Sequence, residues 1–175
     1  MKKLISTKEL ALGGLFLALG VIVPQAFHLV GMTAGQIFLP MHIPVLFAGF
    51  FTGPLIGLIA GILSPVLSSL ITGMPPVPGL YFMIFELGAY GLSAGLLFRK
   101  YKINVYTSLI LSMLFGRLVY GLVLLVAVHV LGISALSKIS IIGATITGVP
   151  GLVIQLVFIP AVVYLVERRL KLGRD

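Results

Sequence analysis

The chain has 175 residues, of which 59% are hydrophobic and only 9% charged, with a mean hydropathy of +1.22. A soluble domain carries about 25% charged residues, so too few ions are present here to solvate a surface, and the solvent must be lipid. The formal net charge is +8, but the cations fall almost entirely in the breaks between apolar runs, as the positive-inside rule requires, which leaves no basic face for nucleic acid.

Met1-Lys2-Lys3 and the apolar run behind it have the charge pattern of a signal peptide, but no small-x-small cleavage site follows Val23. Ser6 and Glu9 fit a capping box, which accounts for Glu9 without catalysis, and predicts a first helix over 7–23. Ala11, Gly14 and Ala18 share one face of that helix. In lipid, small residues let two backbones approach closely, either within this chain or against a partner subunit. Residues 26–40 are less apolar, hold His28, Gly31, Thr33, Gly35 and Gln36, and read as a loop on the far side from the basic N-terminus.

Between Gln36 and Phe98 the only formal charge is Glu86. Parity divides this stretch. If Lys2, Lys3 and Lys8 lie on the same side as Arg99, Lys100 and Lys102, an even number of crossings separates them. The first helix and one over 80–98 supply two, so the apolar residues between must supply two more. They are expected as a short helix over 42–52, a break at Gly53-Pro54, and a longer helix over 54–71, with Pro54 in its first turn. Gly53, Gly57 and Gly61 put a groove on the longer one.

The helix over 80–98 carries Glu86, with Tyr90 one turn on and small residues at Gly88, Gly91 and Gly95. The fifth, over 105–131, has Asn104 as its cap, Arg117 with Tyr120 one turn on, and His129 near its outer end. An outer loop with Lys138 follows. The sixth, over 141–166, holds Thr145, Thr147 and Gln155, is interrupted at Gly148-Val149-Pro150-Gly151, and ends in Glu167-Arg168-Arg169. The expectation is one all-α integral membrane domain over 1–175, with six transmembrane helices and both termini cytoplasmic, in the cell membrane.

A charge at mid-bilayer costs about 2.5–3.5 kcal/mol on insertion scales, and this chain places two of opposite sign. Glu86 lies about 9 Å inside the start of its helix, and Arg117 about 18 Å along its own. They form either a lock between two helices or a pair that reads a ligand. Intramembrane ionisable residues default to function, and Tyr90 and Tyr120 lie on the same faces. His28, His42 and His129 have no partners at metal-ligand spacing, and cysteine is absent, so neither disulfides nor thiolate metal sites can form. Three of the four acids lie near cytoplasmic ends, and there is no G-x-x-x-x-G-K-[ST] phosphate loop. The chain is therefore expected not to be an enzyme, to carry no cofactor, and not to hydrolyse ATP.

The sequence resembles a substrate-binding S component of an energy-coupling factor (ECF) vitamin transporter. The block LPMHIPVLFAGFFTGPLIGLIAGILSPVLSSLITGMPP, from Leu39 to Pro76, carries most of the likeness. The resemblance implies capture of a vitamin or vitamin precursor from outside. It also implies docking through the first helix onto a shared transmembrane T component with two ATPase subunits. The docking face would be Ala11, Gly14 and Ala18, with Gly14 standing where the family commonly has alanine. The implied pocket takes in Gln36 to His42, Met74 to Tyr81, Glu86, Tyr90, Arg117, Tyr120 and Gln155. Arg117 suits a carboxylate or phosphate, which favours pantothenate or folate within a range that includes riboflavin, pyridoxine, thiamine or its precursor, biotin and cobalamin. The rival readings are a free-standing secondary carrier or channel and a structural membrane subunit.

Overall fold

Ser6 starts the first helix as the capping box predicts: its hydroxyl accepts from the Glu9 N–H at 3.2 Å, and Glu9 Oε2 accepts from the Ser6 N–H at 2.9 Å. In the computed structural model, which describes residues 5–29, 31, 33–133 and 141–170, helix α1 runs over Thr7–His28. It passes the expected end at Val23 and contains Pro24, which removes one backbone donor and crowds the carbonyl four residues back, because in lipid the remaining backbone groups are best satisfied by continuing the helix. Part of the expected loop is helical too. Helix α2 (Ala34–Phe38) turns at Leu39, held in the left-handed region at φ 49°, into α3 (His42–Thr52). Jointly they make the 19-residue span Ala34–Thr52, which supplies the length that the second predicted helix lacks.

Gly53, at φ 96° and ψ −178°, is the joint between α3 and α4 (Pro54–Thr72). Only glycine adopts that conformation without strain, and Pro54 then opens α4 where its missing donor is harmless. Helix α5 (Gly79–Ala94) continues through a π-helical turn, Gly95–Lys100. Helix α6 (Val105–His129) starts with Asn104 accepting from the Thr107 N–H at 2.8 Å. The last predicted helix divides into α7 (Ile141–Thr147) and α8 (Val149–Leu170), with the turn at Gly148. Pro150 falls in the first turn of α8, where no intrahelical donor is needed. Six helical spans are long and apolar enough to cross a membrane, and α7 is not among them.

Glycine contacts hold the centre together. A Cβ built on Gly57 would collide with the Gly91 carbonyl, and one on Gly91 with the Gly57 carbonyl. On Gly61 it would strike Leu87 backbone, on Gly49 the Gly91 carbonyl, and on Gly95 the Gly53–Pro54 joint. The backbones of α3, α4 and α5 therefore touch directly, which supplies the dispersion contact that drives helix association in lipid. Around this seam pack Val45, Leu46, Phe50, Leu87, Ala94, Leu109 and Ile159, all nearly or fully buried.

Six crossings return the chain to the side on which it starts. At that end lie Lys8, Arg99, Lys100, Lys102, Arg168 and Arg169, and among the described residues only Arg117 is a Lys or Arg placed elsewhere. Arg99 ties this end together, pairing with Glu9 of α1 at 3.1 Å and donating to the Phe51 carbonyl of α3 at 2.9 Å. An exposed pair of this kind contributes about 0.2–1 kcal/mol. Lys2, Lys3, Lys138, Lys171 and Arg174 lie outside the described residues.

Candidate functional site

A cavity of about 720 Å³ opens at the end of the bundle opposite these cations. The chain reaches it at the C-terminal ends of α1 and α4 and at the N-terminal ends of α3 and α5, as alternating crossings dictate. Pro24 of α1 and the α2–α3 segment with Gln36, Leu39, Pro40, Met41 and His42 form one wall. Residues 74–78 form another, and Gly143, Ala144 and Thr147 of α7 a third. The 74–78 loop is anchored to α4 by two hydroxyls: Ser68 donates to the Met74 carbonyl at 2.7 Å and Ser69 to the Pro75 carbonyl at 3.0 Å. Its Met74-Pro75 and Val77-Pro78 peptides are cis.

Three side chains converge on one carboxylate oxygen of Glu86 at the polar floor of this cavity. Glu86 is 2% exposed, and its Oε1 lies 3.0 Å from Arg117 Nη1 and 3.9 Å from His42 Nε2. The Tyr90 hydroxyl donates to the same oxygen at 3.4 Å. The geometry follows from the helices. Glu86 and Tyr90 are one turn apart on α5, and the Tyr90 ring sits over Gly116, where a Cβ would collide with it, so α6 can bring Arg117 alongside. The His42 ring meets Tyr90 edge-on at 5.2 Å. Arg117 in turn lies over the Tyr120 ring at 5.9 Å, and Tyr120 packs on Phe82 at 5.5 Å.

Of the residues singled out from the sequence, Gln36, His42, Glu86, Arg117 and Tyr120 line the cavity. Tyr90 stands behind Glu86 and is fully buried. Gln155 is fully buried outside the lining, and Tyr81 is 56% exposed outside it. The pairing of His42 with Glu86 joins residues that nothing local in the sequence connects. Pro24, Met83 and Thr147 also line the cavity. The sequence signal of Pro24 and Met83 is only their position near a helix end on the side away from the cations, whereas Thr147 also stands out as a polar residue of the last predicted helix.

Among the described residues, both ring nitrogens of His42 and Nε of Arg117 have no hydrogen-bond partner at the cavity, and the same holds for both amide atoms of Gln155, away from its lining. Buried polar groups are normally satisfied. Orphans around an open cavity are therefore groups that a bound molecule can satisfy. The volume lies within the range of about 300–1,000 Å³ that encloses a small organic ligand. Among the described residues no three His, Asp or Glu side chains gather as a metal site needs.

On α1 the small-residue stripe faces outward. Ala11, Gly14 and Ala18 are exposed, and nothing lies within 4 Å of a Cβ built on Gly14. Packing inside the chain uses Gly13, against Ile56, and Gly20, against Ser64. A model of the family described as ECF transporter, substrate-specific component, matches residues 8–163. No curated protein and no solved structure matches the chain.

Proposed function

The chain belongs to the family of substrate-specific components of ECF transporters, and from that premise we propose that it captures a vitamin-like small molecule in the cavity beside Glu86 and Arg117. Members of such a family are membrane subunits of transporters rather than enzymes. The carrying observation is the partly unsatisfied polar cluster on the floor of a cavity at the end opposite the cations. Because positive residues stay inside, that end faces out and both termini lie in the cytoplasm. The molecule would thus enter from outside, across the cell membrane. Delivery then falls to a transmembrane T component and two ATPase subunits, since this chain has no phosphate loop of its own.

The direct experiment is mass spectrometry of the small molecule retained by the purified protein, with the subunits that co-purify identified in parallel. A retained vitamin or precursor together with ATPases is the expected result. Retained solute without ATPases would indicate a free-standing carrier, and neither would indicate a structural subunit.

Orientation has its own test. A reporter fused after Lys102 is expected to read the cytoplasm, and one inserted near Lys138 the outside. A cytoplasmic reading at Lys138 overturns the parity argument.

The outward stripe of α1 is the face we assign to the T component. Gly14→Leu adds a branched side chain where the neighbouring backbone would have to approach. Uptake is expected to fall at least tenfold while ligand affinity of the isolated protein stays within twofold of wild type. Parallel loss of affinity would mean that α1 shapes the cavity instead.

A further inference from the structure

We propose that the molecule bound in this cavity carries no net charge. The inference rests on the reading of the cavity as the ligand site and narrows the class of ligand. Among the described residues the lining carries two formal charges, Glu86 and Arg117, and they are already in contact at 3.0 Å. Each neutralises the other. An anion brought to Arg117 meets the Glu86 carboxylate at the same place, and a cation brought to Glu86 meets the guanidinium. Either leaves a net charge in the largely apolar cavity, beside the buried Glu86, where an unmatched ion is disfavoured.

What the site still offers is hydrogen bonding without charge compensation. Arg117 Nε and both nitrogens of His42 are unpartnered among the described residues. The Arg117 Nε–H requires an acceptor, and a neutral imidazole offers one donor and one acceptor. A lactam or hydroxyl edge, which carries both a donor and acceptors, satisfies all three, whereas a carboxylate would supply acceptors only and repel Glu86. Met41, Met83 and the prolines of residues 74–78 give the lining apolar surface, Gln36 and Thr147 add uncharged polar groups, and Tyr120 supplies an aromatic face beneath the guanidinium. The matching ligand is an uncharged, amphiphilic, flat or ring-bearing molecule with a polar edge. By this reasoning Arg117 does not select for carboxylates such as pantothenate or folate, because its charge is already used.

The test measures affinity for three probes in detergent: riboflavin (uncharged), pantothenate (anion) and thiamine (cation). Wild type is expected to bind riboflavin at least tenfold more tightly than either ion. Glu86→Gln frees the Arg117 charge and should improve pantothenate binding at least tenfold. Arg117→Gln frees Glu86 and should do the same for thiamine. If a variant fails to fold, the ranking by wild type decides alone.

A wild type that prefers pantothenate or thiamine overturns the charge inference and leaves the cavity as the ligand site. So does a pair of folded variants whose charge preference is unchanged. No binding of any probe by wild type or variants, with no molecule retained on purification, overturns both the inference and the reading beneath it.

Discussion

Glu86→Gln and Arg117→Met, made singly, are each expected to destabilise the protein by about 3–5 kcal/mol, because removing one partner of a buried pair leaves the other charge unmatched. The environment makes the upper part of that range the better expectation. Glu86 is 2% exposed, and its remaining neighbours at Oε1, Tyr90 and His42, cannot replace a guanidinium. Among the described residues, Arg117 without Glu86 would keep only the Tyr120 ring at 5.9 Å. The double variant removes both charges, and replacing a whole buried pair by uncharged groups is often neutral or stabilising. It should therefore recover most of the lost stability. Affinity separates the two roles open to the pair. A helix lock predicts that the stable double variant binds its ligand normally. A pair that reads the ligand predicts that binding stays weak, by at least tenfold, with stability restored. Thermal unfolding in detergent and ligand affinity, measured on all four proteins, provide the comparison. Normal affinity in a stable double variant would remove Glu86 and Arg117 from the site.

Gly91→Ala carries the second large effect, from one methyl group. The added Cβ would strike the carbonyl of Gly57. Overpacking costs about 1–3 kcal/mol and sometimes more, and the obstacle here is the backbone of a neighbouring helix, not the end of a flexible side chain. A loss of about 3 kcal/mol is expected, with α4 and α5 forced apart. Gly14→Ala is the matched control, since nothing lies within 4 Å of that position. In a helix interior Ala is favoured over Gly by about 0.5–1 kcal/mol, so the control should be neutral or slightly stabilising. Equal effects of the two substitutions on thermal stability would show that glycine here serves flexibility and not close approach.

The coupling between these two places gives the seam a functional meaning. Leu87, whose backbone meets Gly61, directly follows Glu86, and Tyr90 directly precedes Gly91. The depth at which α5 sits against α4 therefore sets where Glu86 presents its carboxylate to Arg117. A methyl group at Gly91 should disturb the cavity as well as the fold.

Composition alone established the solvent and the class, because 9% charged residues cannot cover a surface in water. Charge placement established the even number of crossings, and local chemistry located the caps at Ser6 and Asn104, the joint at Gly53 and the break at Gly148. Each of these depends on residues within a turn or two of one another, or on the side of the membrane where a cation lies. Glu86 and Arg117 were legible as a pair for the same reason: an ion in lipid needs a partner, and few were available. Tertiary structure decided the rest. His42 approaches Glu86, Gly116 makes room for Tyr90, and Tyr81 turns away from the cavity, each through contacts between distant segments. The first helix runs past Val23, and the second span gains Ala34–Phe38, because in lipid the need to satisfy every backbone group outweighs the local signal of a proline or a polar residue. The outward direction of Ala11, Gly14 and Ala18 was likewise open until Gly13 and Gly20 were seen to make the inward contacts. A helix with small residues on two faces carries no local mark of which face its own chain will cover.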